Sequence, residues 1–437
     1  MLDRLFALET HGIKLGLDNI ERLCAEFGRP ERSFISLHVA GTNGKGSVTA
    51  MAHAALVAAG VRAARYTSPH LTDLAERFVI GAATVDAGEL ERAAGDVLDC
   101  AERLKAMGAL AVDPTFFEAT TAIAFELFRR ARVEVAVIEV GLGGRFDSTN
   151  VLSPAAGAIS SIGLDHQQFL GDTVEAIAFE KAGIIKPGMT VVIGALPQAA
   201  RSVVSAVAAE RGARIVDAPA ESRVHSDDTE GRATLTVETA DDRYGPVSLA
   251  LRGDHQAGNA LVAIHLLEAA RACGVGVTRD AIERGLSTVE WPGRLEVLRL
   301  SEGRQVILDA AHNVDGATAL AAYLVHWYPA RPSLVIGVMR DKDVEGIIET
   351  LLPAVSSIIA TAAPTPRAMA PEELAERIRA RHTDPAGALR AIDVRSERDP
   401  LRAVALALAR DDTVCVAGSI VLAGAVRDAL ERRAILR

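Results

Sequence analysis

Apolar runs of strand length alternate with helix-length segments along most of the chain, the pattern of a parallel sheet with helices on both faces. Strands are predicted over Phe34–Ala40, Glu134–Val140, Ala156–Ile162 and Thr190–Ile193. Between about Ser222 and Leu251 the pattern changes to short polar-alternating pieces, Ala233–Glu238 and Pro246–Leu251, around a turn-like Asp241-Asp242-Arg243. That predicts a small antiparallel ribbon added to the first domain. A fresh series follows Trp291-Pro292-Gly293, with strands over Gln305–Leu308, Leu334–Val338, Ser357–Thr361 and Thr413–Ala417. The break falls near Ser287 to Arg304, which predicts a first domain over residues 1–290, a linker over 291–303 and a second domain over 304–437. There is no internal repeat or low-complexity tract.

Length and composition narrow the function classes. With 437 residues the chain is long enough for two or three domains with sizeable cores. Its 49% hydrophobic and 24% charged residues are the balance of a globular protein rather than a disordered one. The formal net charge of −10 lacks the diffuse basic field that non-specific nucleic-acid or anionic-membrane binding needs. Cys24, Cys100, Cys273 and Cys415 are far apart and out of any zinc-ligand spacing, so they read as isolated thiols of a reducing compartment. Asp3, Glu9 and Lys14 interrupt the apolar pattern of the N-terminus, which therefore has no signal-peptide core, and no stretch approaches a membrane span. The expected location is the cytoplasm, with neither nucleic acid nor membrane as partner.

The first chemistry follows the first strand. Gly41-Thr42-Asn43-Gly44-Lys45-Gly46-Ser47 lies between it and a helical segment reaching Gly60. In such a loop glycines let backbone N–H groups close around phosphate oxygens and the helix N-terminus adds partial positive charge. Lys45 can then reach the outer phosphates, and Ser47 can ligate Mg²⁺. The spacing departs from G-x-x-x-x-G-K-[ST] because Gly46 separates Lys45 from Ser47. ATP is the expected ligand, against the plainer reading of a connecting turn.

Ionisable residues then gather at predicted strand ends, where ligands of parallel sheets sit. The apolar run Val135–Ile138 ends in Glu139, a carboxylate that needs a cation or solvent. Its loop, Gly141–Asp147, is too glycine-rich for a simple connection. The next strand leads to Asp165-His166, and carboxylate, imidazole and hydroxyl oxygens together suit a divalent cation bridging phosphates. A helix is predicted from an Asp172 N-cap with Glu175 as capping-box partner to a Gly183 stop, with Val174, Ile177, Ala178 and Lys181 on one stripe. Lys181 either snorkels to water or is buried with a depressed pKa. In the second domain Asp309 stands at a strand end as a ligand or a helix cap, Gly253–Ala260 is a candidate capping turn, and Arg294 a candidate interdomain ion-pair partner. Together they suit a nucleotide held between two domains.

These motifs, in order, resemble the Mur-ligase superfamily, and within it the folylpolyglutamate synthase and dihydrofolate synthase family. The resemblance covers essentially the whole chain: Lys14–Leu17, Gly41–Ser47, Tyr66–Leu71, Thr115–Glu118, Glu139–Asn150, Asp165-His166 with Leu170-Gly171, and Glu180–Gly183. It continues through His255-Gln256, Trp291–Arg294, Asp309–Asn313, Asp341–Asp343 and Gly418-Ser419. It implies an α/β fold: an N-terminal P-loop-containing Mur-ligase-type ATPase domain with a mainly parallel sheet plus small antiparallel ribbon, and a C-terminal Rossmann-like α/β domain. It implies ATP-dependent ligation of L-glutamate to dihydropteroate or a reduced folate through an acyl phosphate, by a monomer.

By motif, Thr42, Asn43, Gly44, Lys45, Gly46, Ser47, Asn259, Arg294 and Asp309 resemble nucleotide contacts, and Ser47, Ser68, Glu139 and His166 resemble Mg²⁺ ligands. Lys181 resembles the family's carbamylated lysine and joins Lys45, Glu139 and His166 as the catalytic set. Leu15, Gly16, Leu17, Thr115, Phe116, Phe117, Glu118, Phe146, Asp147 and Ser148 resemble folate or pterin contacts, and His312 and Ser419 glutamate contacts. Ala310 and Val314-Asp315 depart from the family's usual Gly and Pro-His. Another Mur-type amide ligase and a non-ligating P-loop module are the alternatives.

Overall fold

The computed structural model describes residues 1–12, 14, 16–300, 303–382 and 392–432. Strands β1 (Ile35–Ala40), β2 (Ala63–Tyr66), β3 (Phe78–Ile80), β4 (Ala83–Thr84), β5 (Val135–Glu139), β6 (Ala156–Ile159), β7 (Thr190–Ile193) and β8 (Arg214–Asp217) form one sheet among the described residues. Its order is β4-β3-β2-β5-β1-β6-β7-β8. β1 pairs in parallel with both β5 and β6, with Val39 opposite Glu139, and β3 pairs antiparallel with both β2 and β4, so among the described strands of this sheet β3 runs against the rest. Helices α1 (Leu2–Ala7), α2 (Asp18–Glu26), α3 (Lys45–Ala58), α4 (Ala87–Ala106), α5 (Phe116–Arg130), α6 (Gln167–Leu170), α7 (Val174–Ala182) and α8 (Gln198–Glu210) connect or flank these strands.

Strand alternation divides the core of this sheet in two. Tyr66, Ala136 and Ile138 pack with Ile123, Phe125 and Val97 of α5 and α4 on one face. Ala40, Ile159, Val191 and Ile193 pack with Ile177, Ala178 and Val204 of α7 and α8 on the other. β5 is buried at every position, as its unbroken apolar run requires.

The ribbon has three strands, β9 (Arg223–Thr229), β10 (Arg232–Glu238) and β11 (Arg243–Ser248). Helices α9 (His255–Ala272) and α10 (Arg279–Thr288) follow, and a Cβ on Gly285 of α10 would strike the backbone of Ala55, so that glycine lets α10 lie against α3.

The second sheet has the order β12-β13-β17-β14-β15-β16. Its strands are β12 (Glu296–Arg299), β13 (Gln305–Leu308), β14 (Ser333–Ile336), β15 (Ser357–Ala360), β16 (Asp393–Ser396) and β17 (Thr413–Ala417). Helices α11 (Val314–Trp327), α12 (Val344–Leu351), α13 (Pro371–His382), α14 (Pro400–Leu408) and α15 (Ile420–Arg432) cover it. Ile307, Leu334, Ile336 and Ile358 face one core and Val306, Leu308, Val335 and Ile359 the other, the two-sided burial of a Rossmann-like sheet.

The chain divides into two compact units, one of residues 1–226, 234–250 and 256–289, the other of 227–233, 251–255 and 290–437. The sequence places the boundary in one linker, 291–303. In the structure that segment contributes β12, which pairs antiparallel with β13. The tip of the β9–β10 hairpin also belongs to the second unit, where a Cβ on Gly231 would meet the Tyr323 ring. The four cysteines are free thiols, and among the described residues no helix is long and apolar enough to cross a membrane.

Candidate active site

In the first unit β1 delivers the chain into the loop that precedes α3, and neighbouring strand ends pin that loop. Thr42 N–H donates to the Ser161 carbonyl at 2.8 Å, and Asn43 N–H to Ser161 Oγ at 2.9 Å. Ser160 Oγ donates back to the Asn43 carbonyl at 2.6 Å, and Thr42 Oγ1 donates to the Gly163 carbonyl at 3.1 Å. Gly44 caps α3 at φ +81°, and a Cβ there would collide with Asn259 Oδ1. Asn259, on α9, is oriented by its Nδ2 bond to Gln256 at 2.9 Å. Gly46 lies in the first turn of α3 and Ser47 is buried beside it. Ser160 and Ser161 are missing from the sequence-based set, although their place at the carboxyl end of β6 would have nominated them.

Two ammonium groups converge on this loop. Lys45 Nζ donates to the carbonyls of Gly41 at 3.0 Å and Thr42 at 3.2 Å. Lys181 Nζ, reaching in from α7, donates to the same Gly41 carbonyl at 2.8 Å. Lys181 is 4% exposed, so of the two readings left open the buried one holds. Burial first, and the charge of Lys45 second, push its pKa down to about 7. The N-cap of α7 is Thr173, whose hydroxyl accepts from Ala176, rather than Asp172 with Glu175. Thr173 holds the extended cap conformation one residue later, and the predicted stripe of Ile177, Ala178 and Lys181 is unaffected.

Glu139 ends β5 nine-tenths buried, and its Oε2 accepts the Ser68 N–H at 3.1 Å. His166 adopts the left-handed φ of +52° at the start of α6, rare for a residue with a Cβ, and its N–H donates to Asp165 at 2.8 Å. Among the described residues no three His, Cys, Asp or Glu side chains gather as a metal cage. The glycines of the loop after β5 have a packing cause. A Cβ on Gly141 would enter the Phe117 ring, and one on Gly144 would meet the carbonyls of Glu180 and Lys181 within 3.0 Å. The loop therefore lies flush on the end of α7, where Arg145 N–H donates to the Glu180 carbonyl at 2.8 Å.

The residues that the resemblance assigns to folate contacts are tied into the same unit, apart from Leu15. Thr115 and Glu118 form a reciprocal capping box at the start of α5, with Thr115 N–H to Glu118 Oε2 at 2.7 Å and Glu118 N–H to Thr115 Oγ1 at 3.1 Å. Asn19 adds a donor to Glu118 Oε2, while Oε1 is buried with no partner. Phe116 stacks on Phe6 and carries the Arg77 guanidinium over its ring at 5.1 Å, and Phe117 stacks on Tyr66. Phe146 is partly exposed beneath Arg145. Asp147 is buried, accepts from Leu142 N–H, Thr149 N–H and Thr149 Oγ1, and has its pKa raised chiefly by burial. Thr149 Oγ1 also meets His38 Nε2 at 2.8 Å, a link the sequence does not announce. Ser148 is buried in the next turn, Gly16 has φ +140°, Leu17 caps α2, and Leu15 lies outside the described residues.

In the second unit Asp309 is not a helix cap. Its carboxylate accepts from Leu295 N–H and Ala311 N–H, both at 2.8 Å, and Asn313 caps α11 instead. Arg294 donates to the Gly293 carbonyl at 3.0 Å. His312 Nδ1 lies 2.8 Å from the Ala310 carbonyl, and Ser419 is buried with its Oγ accepting from Val421 N–H at 3.1 Å.

Comparison with known proteins agrees with this geometry. Residues 39–267 match the Mur ligase middle domain, and residues 293–420 match the Mur ligase glutamate ligase domain. The chain is 36% identical to the dihydrofolate synthase/folylpolyglutamate synthase of Mycobacterium tuberculosis, over 94% of this chain and 89% of that one. Its fold superposes on the M. tuberculosis folylpolyglutamate synthase solved with ADP and AMPPCP at a TM-score of 0.89, with 33% identity and coverage of 98% and 97%. Against Escherichia coli FolC in complex with DHPP and ADP the TM-score is 0.85, with 28% identity and coverage of 99% and 98%.

Proposed function

We propose, since the chain belongs to the folylpolyglutamate synthase and dihydrofolate synthase family of Mur ligases, that it joins L-glutamate to dihydropteroate or a reduced folate at the expense of ATP. The observation that carries this reading is the convergence of Lys45 and Lys181 on the Gly41 carbonyl at the N-terminus of α3. A helix start with the Lys45 ammonium beside it is an anion site stronger than either feature alone. A carboxylate is a poor acyl donor, so the γ-phosphoryl of ATP first converts the acid to an acyl phosphate, releasing ADP. The amine of glutamate then attacks that carbonyl and inorganic phosphate leaves. Lys45 holds the phosphoryl oxygens and offsets the charge spread over them, so the residues act by positioning and electrostatics. No covalent enzyme intermediate is required.

Mg²⁺ fits the chemistry of four residues that follow or end the parallel strands β1, β2, β5 and β6. Glu139 supplies a buried carboxylate and Ser68 and Ser47 supply hydroxyls, a hard-oxygen set to which His166 adds an imidazole. When bound, it would neutralise charge on the transferring phosphoryl group. Lys181 fits carbamylation, because with its pKa pushed down to about 7 a large share of its amine is neutral near that pH and can attack CO₂ with loss of a proton. The product would turn a cation on an apolar stripe into a carboxylate facing the loop.

The test is phosphate release from Mg-ATP with L-glutamate, comparing 7,8-dihydropteroate with tetrahydrofolate and recording product masses. A glutamate-sized mass gain on either acceptor is expected, and gain on both makes the enzyme bifunctional. Nucleotide binding with no gain on either would overturn the reading.

A further inference from the structure

The stretch between β2 and β3 buries a positive charge that the described residues leave unpaired. Arg77 is only 7% exposed, and its own backbone carbonyl is taken by Thr67 N–H at 3.1 Å. Its Nε donates to His70 Nδ1 at 3.0 Å, and its guanidinium carbon sits 5.1 Å from the centroid of the Phe116 ring. The adjacent Glu76 is otherwise engaged, since its two oxygens accept the N–H groups of Leu71, Thr72 and Asp73 at 2.7 to 2.9 Å. No carboxylate among the described residues pairs with Arg77 and no acceptor there meets its two terminal nitrogens, which are nonetheless not sealed from water.

An arginine this buried without an anion is costly, and such groups are normally paired or hydrogen-bonded. Here the guanidinium plane is fixed on two sides, by Phe116 beneath it and His70 at Nε. The outer edge with both terminal nitrogens is left as a fork of the shape that takes a carboxylate in two parallel hydrogen bonds. Of the two segments that fix it, one carries a residue of the proposed metal set and the other carries residues of the proposed folate side. His70 is two residues beyond Ser68, whose N–H holds Glu139, and Phe116 precedes Phe117.

We propose that Arg77 is a specificity-determining residue that binds a carboxylate of the acid substrate through its two terminal nitrogens, an assignment that rests on the ligase reading above. The carboxylate has two sources. It is either the reacting group, the only carboxylate of dihydropteroate, or the non-reacting α-carboxylate that tetrahydrofolate carries in addition.

The experiment measures KM and kcat of the full-length wild type, Arg77→Met and Arg77→Lys with each acceptor, together with KM for ATP and for L-glutamate. Arg77→Met should raise the acceptor KM about tenfold or more, as loss of a charge-assisted bidentate contact does. Arg77→Lys should recover part of that loss, with KM for ATP and L-glutamate within about twofold throughout. Weakening of both acceptors identifies the reacting carboxylate, and weakening of tetrahydrofolate alone identifies the α-carboxylate. An unchanged acceptor KM overturns the proposal. So does a variant whose KM values for all three substrates move together with its melting temperature, because Arg77 is then structural. If Arg77→Met does not fold, Arg77→Lys decides by the same criteria. A wild type that adds glutamate to neither acceptor defeats the ligase reading first, and this assignment falls with it.

Discussion

Two regions of the first unit handle buried charge in opposite ways. At the phosphate loop, Lys45 and Lys181 share one carbonyl, and repulsion between them adds to burial in depressing the Lys181 pKa. On the folate side, Asp147 and Glu118 are also buried, but each accepts several hydrogen bonds from its own neighbourhood. The loop is electrostatically unfinished and gains most when an anion arrives. On the proposed folate side the carboxylates of Asp147 and Glu118 are held beforehand by local donors, with Glu118 Oε1 and the Arg77 fork left open. Substitutions in the first region should therefore damage turnover more than folding, and substitutions in the second should damage folding first.

The largest effect is expected at Lys45. Lys45→Ala removes the group proposed to hold the phosphoryl oxygens, and the loss in kcat should be on the order of 10² to 10³, as for other transition-state charge contacts. In CO₂-depleted buffer, where Lys181 is the free amine, the variant's melting temperature should match or exceed that of the wild type, because one of two repelling cations is gone. A severe stability loss would erase the contrast between the regions.

The next largest effect is expected at Lys181. Its pKa falls from 10.5 in the unfolded chain to about 7 in the folded one. Between those values the unfolded chain binds more protons, so stability should climb as pH rises through that window, with the burial cost fully present below it. Lys181→Met should flatten that climb in denaturant melts of the first unit at pH 7 and pH 9. Turnover of the wild type should rise with pH through about 7 and depend on dissolved CO₂, as a carbamylated amine requires. A CO₂-independent rate would leave Lys181 a plain cation.

The same contrast decides what was legible in the sequence. Strand, glycine-rich loop and helix are contiguous, so Gly41–Ser47 and its helix can be read directly, and Lys181 betrays itself because it breaks an apolar stripe of period 3.6. Glu139 is visible for the same reason, at the end of a two-sided buried strand. Groups whose partners are distant in the chain give no such signal. Arg77 meets Phe116 and His70, and His38 meets Thr149, across separations that no local period encodes. The four-residue strands β2 and β8 go unpredicted because Arg65 interrupts the one and Arg214 and Asp217 bracket the other, leaving no apolar run to read. Asp309 looked like a cap because Asp is a good one, yet only tertiary structure shows its oxygens held by Leu295 and Ala311.

Thr149→Val tests the folate side. The substitution keeps the shape and removes the hydroxyl that joins Asp147 to His38, leaving buried polar atoms without a partner. It should cost about 1 to 3 kcal/mol of stability by denaturant melting. Turnover of the folded fraction with saturating ATP should fall much less than for Lys45→Ala.

Glu118→Gln is the finest probe. Glutamine is as good a capping-box partner as glutamate, because its carbonyl can accept the Thr115 N–H that Oε2 now takes. Stability should then change by less than about 1 kcal/mol. The amide nitrogen would stand where the buried, partnerless Oε1 now lies, replacing an acceptor with a donor. If that oxygen is kept for an N–H of the pterin-bearing substrate, KM for the acceptor should rise several-fold while KM for ATP stays put. An unchanged acceptor KM would make Glu118 a helix cap alone, and the folate side would then owe its recognition to other groups, Asp147 first among them.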